Sequence, residues 1–567
     1  MPDGIEATAD AGAEARAVAP AIVLPQIRAA QAALAVILIV AVVTRFGRLA
    51  TPGEMYFDEI YFVRDSAQLI YHNDPAAFEF YGHENTHPPL SKLFIAGGIA
   101  IVGAADEVAP PLVPGEGGVD NSFAWRFFGA LAGVGAVLFM YLLARKLFDS
   151  EVAGLAGAFI LTVEGLAFAQ SRIATPDTYV LCFMLATVYF LVSDRFLYSG
   201  VFFGAAVACK WVAALTAVPI MLYLLWKLIT RLRDMPPEER TKWFEIMLPA
   251  GLVLLYMGLA FTLLGFLSRH PDQKPGLFDG LGLTDYMGLL LLAVGAGSTI
   301  GGIAGLLYER SLGEGNLFSP QGRFSLEMAI VLGVFFIMVP GYVYLATYIP
   351  MLWHDQHRGG FLALGDVVHL NRMAFDFHST LTAPHPYSST WDTWPIMGRP
   401  VFFHLAGPEA KIYALGNPIV FWMGLPALAF ALWQSLRYVG ARIDPGGTFS
   451  FWCRLPSRQA ALLFVVLSYL GFWLPWSVQQ ETGGRVLFIY HYLPALAFVV
   501  LALSYVVDWL WRRPELGARY AAIGLLAAFC ATFIYFYPHL ADVDVPGWLE
   551  RTYYWDWLPD SLGFNWH

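Results

Sequence analysis

Residues 197–229 read LYSGVFFGAAVACKWVAALTAVPIMLYLLWKLI, a run in which only Lys210 and Lys227 carry charge. A hydrocarbon core takes about 20 apolar residues per helix. The run is too long for one span and is expected to form two, 197–213 and 214–230. No loop residue marks their division, so length alone sets it.

The rest of the chain has the same character. Of 567 residues, 57% are hydrophobic and 14% charged, where soluble domains carry roughly a quarter charged. The mean hydropathy of +0.55 therefore reflects many apolar segments rather than one anchor. Thirteen candidate spans emerge near 31–49, 124–147, 152–171, 175–193, 197–213, 214–230, 244–267, 286–308, 326–349, 416–436, 458–476, 485–507 and 517–537. The fold class is an all-α polytopic membrane protein, a transmembrane helical bundle of about 11–13 spans. A shorter Gly-rich run, 93–104, reads as re-entrant or interfacial. A net charge of −10 with a pI near 5.7 argues against nucleic acid. Cys182, Cys209, Cys453 and Cys530 lie in or beside apolar segments without ligand spacing and read as packing residues.

Basic residues in short loops set the orientation. Lys227, Arg231, Arg233, Arg240 and Lys242 follow the sixth span, Arg437, Arg442, Arg454 and Arg458 the tenth, and Arg512 and Arg513 the twelfth. All three clusters fall on one side, taken as cytoplasmic. The N-terminus is then inside, in a plasma membrane, and two long loops, 50–123 and 350–415, are outside. The domain reading has three parts: a disordered, acidic, Ala-rich tail (1–28) without signal-peptide features, a membrane bundle (29–540), and an aromatic C-terminal tail on the outer face (541–567).

The two outer loops hold most of the chemistry-bearing residues outside the membrane. In MYFDEIYF (55–62), Asp58 and Glu59 are adjacent. Neighbouring side chains diverge by about 100° on a helix, so the pair is either solvated loop polarity or serves two tasks, one proton acceptor and one orienting group. HENTHPPLSKL (83–93) holds His83, Glu84, His87 and Lys92. Pro88 and Pro89 spoil a helical His pair, and no metal site is read. Lys92 is a phosphate partner or an interfacial lysine. Arg126 opens the second span, and Arg485 and His491 lie at the mouth of the twelfth. Each arginine either extends to the interface or meets a lipid phosphate in a bidentate fork. HSTLTAPHPYSSTWDTWPIMGRPVFF (378–403) is dense in His, Trp and Tyr. Trp391 and Trp394 there fit an interfacial belt or a substrate-binding loop. Arg172 and Asp177 read as a capping pair, and Glu164 as an intramembrane acid without an assigned role.

Taken in order along the chain, these motifs resemble the protein O-mannosyltransferase family: an Asp-Glu pair, then HPPLSK, an Arg opening the second span, HPYSSTWDTWP with a downstream RPV, and RVLFIYHYLPAL. The resemblance covers roughly residues 30 to 510. It implies a GT-C-like bundle that transfers mannose from a polyprenyl-phosphate donor to Ser or Thr of proteins in transit through the secretion machinery, by inverting displacement. It implies Asp58 as catalytic base, Glu59 as acceptor-site partner, and Arg126, with Arg485 and Lys92, as donor-phosphate ligands. Substrate contacts are expected at His87, His385, Trp391, Trp394 and His491. No cofactor is called for, although a divalent cation at the phosphate stays open. The loop 350–415 is too short for the large soluble domain of eukaryotic members, so the chain looks prokaryotic in type, and the spans near 244–308 look additional. The nearest alternative is a GT-C enzyme moving another sugar to a lipid or cell-wall glycan. A transporter or lipid flippase would show inverted repeats and broken helices at the midplane.

Overall fold

The computed structural model describes residues 29–69, 86–102, 122–233, 243–267, 283–313, 318–350, 364–380, 385–405, 411–443, 449–453, 457–483, 486–553 and positions 555, 558, 564 and 566. The chain is a helical membrane bundle, and every expected span coincides with helix. In order these are α1 (Ala29–Phe46), the short α2 (Glu59–Gln68) and α3 (Leu90–Val102), then α4 (Ser122–Phe148), α5 (Glu151–Thr162), α6 (Gly165–Gln170), α7 (Asp177–Val192), α8 (Phe196–Cys209) and α9 (Ala217–Arg233). The second half continues with α10 (Trp243–Leu267), α11 (Leu283–Ser311), α12 (Pro320–Gly333), a π turn over Val334–Met338, α13 (Val339–Ala346), α14 (Leu364–Thr380), α15 (Pro418–Leu436), α16 (Ser457–Trp473), α17 (Pro475–Gly483), α18 (Leu493–Trp511) and α19 (Leu516–Ala541). Among the described residues, nine helices are long and apolar enough to cross a membrane.

Helix α18 is the axis of the bundle. Of its apolar window 83% is buried, against 11% for α1, and a helix apolar on all sides is stable only when surrounded. Small residues let other helices approach. A Cβ on Gly98 would lie 2.3 Å from the Ala124 carbonyl oxygen, so α3 sits directly on α4. This run is a separate 13-residue helix packed on a span.

Breaks in the spans are capped from within. The third span is split at Val163–Glu164, and the Glu164 carboxylate accepts from Ala167 N at 2.6 Å and from Asn417 N at 2.9 Å. The intramembrane acid is thus the N-cap of α6 and a tie to the start of α15. Arg172, in the turn between α6 and α7, donates to the carbonyls of Thr44, Arg45, Gly47 and Arg48 at 2.7–3.2 Å. It closes the C-terminus of α1, where the exposed carbonyls favour a cation.

The two ends of the bundle differ in chemistry. At one end the buried Asp508 accepts from Ser150 Oγ (2.5 Å) and pairs with Arg512, with Arg458 at 3.9 Å, which gathers three turns. Lys227 pairs with Asp194 at that end. The opposite end holds α2, α3, the hairpin β1 (Val401–Leu405) with β2 (Lys411–Ala414), and the C-terminal segment, whose Trp566 Nε1 donates to the Met397 carbonyl at 2.9 Å.

Candidate active site

The site begins with a backbone turn. Phe57 has φ of 50°, a left-handed conformation costly for a bulky side chain and held only where packing over-determines it. Its ring is fixed by Phe403 (4.5 Å), Phe488 (6.2 Å) and Tyr490 (6.1 Å). The turn starts α2, and the helical step from Asp58 (φ −69°, ψ −9°) to Glu59 points the two carboxylates different ways.

Glu59 turns inward and is fully buried. Arg126 grips it through Nε to Oε1 (2.9 Å) and Nη2 to Oε2 (2.8 Å), and Ala174 N donates to Oε1 at 2.9 Å. The remaining Arg126 donors reach the carbonyls of Leu49 (3.1 Å), Pro52 (2.6 Å) and Glu54 (2.9 Å). A guanidinium has five N–H groups, and here all five meet protein acceptors. Arg126 therefore has no donor left for a phosphate in this conformation, and Glu59 faces arginine rather than an incoming hydroxyl. Lys92, buried, pairs with Asp65 at 2.5 Å. Arg485 lies outside the described residues, as do His83 and Glu84. The expected cluster of three phosphate ligands is thus not assembled by the residues seen: two of its cations hold α4 and α3 to the first loop.

Asp58 takes the other direction. It occupies the N-cap position of α2 but makes no side-chain cap bond, and instead bonds the Tyr490 hydroxyl. Burial raises its pKa to about 6, opposed by the nearby Lys210 ammonium and augmented by Asp177. A carboxylate shifted toward neutrality, ionised at pH 7 yet more basic than usual, suits general-base chemistry.

Lys210 is the residue that the sequence reading passed over. Helix α8 stops at Cys209 because Lys210 is extended (φ −161°, ψ 135°), and a 3₁₀ segment over Trp211–Thr216 follows. Its Nζ donates to both Asp177 oxygens at 2.9 and 3.1 Å and lies 5.4 Å from the Tyr490 ring centre. Asp177 opens α7, so the pair joins the ends of two antiparallel helices. With 16 and 14 residues, α7 and α8 span about 24 and 21 Å at 1.5 Å per residue, short of a core of about 30 Å. Lys210 of this pair lines a cavity.

Beside it is a cavity of about 380 Å³ between the Trp211–Leu215 segment, α14 and α17, with Lys210, His87, His378, Trp476, Gln479 and His491 among its lining. His87 stacks on Phe62 and approaches the His378 ring at 4.7 Å. His491 accepts or donates at Nδ1 with the Phe488 backbone (2.9 Å) and packs at 4.7 Å from Trp476. His87 and His491, both expected at the substrate, thus line the same cavity. His385 stands apart, half-buried on the edge of Phe488 at 4.9 Å, where burial lowers its pKa below the usual imidazole value. Trp394 is sealed, its Nε1 donating to Ser389 Oγ at 2.9 Å, and Trp391 packs on Trp473 at 5.0 Å. Both tryptophans fix the loop onto α16 and α17 and present no face to the cavity.

The sequence matches two family models in tandem: one described as dolichyl-phosphate-mannose-protein mannosyltransferase over residues 35–266, and one as the C-terminal four-transmembrane region of protein-O-mannosyltransferase over 363–559. The chain belongs to the protein O-mannosyltransferase family. A polyprenol-phosphate-mannose–protein mannosyltransferase of Mycobacterium tuberculosis is 24% identical over 92% of this chain and 90% of its own length. One of Mycolicibacterium smegmatis is 23% identical over 90% and 89%. In fold the chain is similar to the protein O-mannosyltransferase Pmt1-Pmt2 complex of Saccharomyces cerevisiae bound to the sugar donor, with a TM-score of 0.62, 14% identity, and coverage of 92% and 91%.

Proposed function

We propose that this enzyme transfers mannose from a polyprenyl-phosphate carrier to Ser or Thr hydroxyls of proteins, with Asp58 as the base. The observation that carries the assignment is that Asp58, alone of the adjacent carboxylates, is turned away from the Arg126 lock toward Tyr490 and Lys210. The mycobacterial relatives, named for this donor and for protein acceptors, support the substrate pair. In the step, the Asp58 carboxylate takes the hydroxyl proton while the hydroxyl oxygen attacks the anomeric carbon. The bond from that carbon to the phosphate oxygen breaks, its electron pair leaves with the polyprenyl phosphate, and a single displacement inverts the anomeric centre. Glu59 and Arg126 position the base by pinning the turn beside it.

The site is assigned to the outer face of the plasma membrane, with the N-terminus cytoplasmic and the aromatic tail 541–567 outside. Supporting this is the gathering of Lys227, Arg458, Arg512 and Arg513 at the end opposite Asp58, the end that basic-loop bias places inside. An enzyme so oriented would meet acceptors as they leave the secretion machinery. The domain reading, a bundle over 29–540 between two tails, goes with it.

The test incubates purified protein with radiolabelled polyprenyl-phosphate mannose and a Ser/Thr-rich peptide. Label is expected in the peptide, reduced roughly 10²-fold or more in Asp58→Asn, the scale of losing a general base. Label transferred only to lipid or glycan, or a well-folded Asp58→Asn enzyme that turns over normally, refutes the assignment.

A further inference from the structure

Away from Asp58, at the end of the bundle where Lys227 pairs with Asp194, a second cavity of about 370 Å³ opens between α4, α7, α9 and α16. Its walls are mostly apolar, Leu147, Val192, Leu222 and Phe464 among them. Along α16 the lining runs from Ser457 to Leu467, ten residue steps or about 15 Å at 1.5 Å per residue, half of a hydrocarbon core of about 30 Å. The groove therefore has the length of one leaflet. Beyond Leu467, a Cβ on Gly471 of α16 would meet Val218 Cγ1 of α9 at 2.5 Å, so the two helices touch and the groove ends. Its side is open: Leu225 and Ile229 on α9 are 52% and 53% exposed, and in a membrane such side chains face hydrocarbon.

Inside a bilayer an acyl chain gains little by exchanging one apolar surface for another, because lipid tails are as apolar as leucine. Selection then falls to the head group. Lys146, in the last turn of α4, is the one charged residue of the lining. The cations around it are compensated, Arg145 by Glu151 at 2.6 Å and Lys227 by Asp194 at 2.5 Å, whereas the exposed Lys146 ammonium has no ion pair or hydrogen bond among the described residues. Tyr223 and Trp226, also in the lining, are the residue types that mark the headgroup level. We propose that this groove binds an anionic phospholipid of the leaflet at the basic end, with one acyl chain lying along α16 and the phosphodiester at Lys146. A carrier tail reaching down from the Asp58 end would fill the apolar part and leave the lysine unmatched.

The test offers the purified full-length enzyme equal amounts of phosphatidylglycerol and phosphatidylcholine in detergent and reads the retained lipid by mass spectrometry of the intact complex. Wild type is expected to retain phosphatidylglycerol over phosphatidylcholine about fivefold, the scale of one cation against an anionic head group. Lys146→Gln should lose most of that preference and Lys146→Arg keep it. Ala460→Phe, which places a ring in the groove from α16, should lose the bound lipid. Equal retention of the two lipids by wild type, a preference unchanged in Lys146→Gln, or full retention by an Ala460→Phe protein that melts like wild type overturns the proposal. Polyprenyl phosphate that displaces phosphatidylglycerol from wild type, and is itself lost in Ala460→Phe, would assign the groove to a carrier tail and also overturn it. Should Ala460→Phe not fold, the two Lys146 variants still decide, since that side chain is exposed and holds no part of the bundle together.

Discussion

Replacing Arg126 with Met tests whether the buried pair with Glu59 is structural. The guanidinium satisfies both Glu59 oxygens and three backbone carbonyls while wholly shielded from water. Removing one partner of a buried pair costs about 3–5 kcal/mol, because the other charge is left uncompensated. Arg126→Met should therefore lower the melting midpoint in detergent, followed by tryptophan fluorescence. The double variant Arg126→Met/Glu59→Gln should recover a large part of the loss, since no buried charge remains. A coupling between the two positions on the order of 0.5–3 kcal/mol is expected for groups in direct contact. Donor affinity of the folded fraction should stay within a few-fold of wild type. The reasoning fails if Arg126→Met melts like wild type while donor affinity falls tenfold or more, for the arginine would then serve the phosphate and not the loop.

Two further outcomes follow. With the Asp58 pKa near 6, kcat/KM should fall as pH drops through about 6, where the base protonates, and stay level above it. Tyr490→Phe removes a hydrogen bond that stabilises the carboxylate, so its acid limb should move to higher pH; a limb near 4 in wild type would count against Asp58. For topology, Gly53 and Gly517 are exposed, with open space where a Cβ would go. In a chain whose own cysteines are replaced, Gly53→Cys should react with an impermeant thiol reagent on intact cells and Gly517→Cys only after permeabilisation; the reverse pattern inverts the protein.

The helices were legible because hydropathy over about 20 residues is a local property. All thirteen expected spans coincide with helix, even the two drawn through 197–230, where Lys210 interrupts them. The partners of the charges were not legible. Arg126 and Glu59 are 67 positions apart and Arg172 closes a helix more than 120 positions upstream; no periodicity links such residues. Arginine at a helix mouth suggests a lipid phosphate only until a carboxylate is found facing it. Lys210 did carry a signal: a lone cation within an apolar run needs a partner, and Asp177 begins the helix immediately before its own. Read as a difficulty in dividing two spans, it was instead the reason they divide. Aromatic density left Trp391 and Trp394 between an interfacial belt and a substrate-binding loop, and the packing partners Trp473 and Trp476 were not legible.

Adjacent carboxylates with unlike fates follow from the helical step between them and from the partners each direction meets. Asp58 has helical dihedrals (φ −69°, ψ −9°), so it lies one helical step from Glu59 and the two side chains diverge by about 100°. The left-handed turn at Phe57 sets the direction in which the chain enters α2, and the aromatic contacts of Phe403, Phe488 and Tyr490 hold it there. Glu59, anchored in Arg126 and the Ala174 amide, then fixes the register of the first helical residue. Asp58, one bond earlier, gains a defined place without contributing its own oxygens to the anchoring. A base has to keep its lone pairs for the proton it removes. Assigning the structural bonds to the neighbour, of the same chemistry and at the next position, leaves those of Asp58 to Tyr490 and to the acceptor.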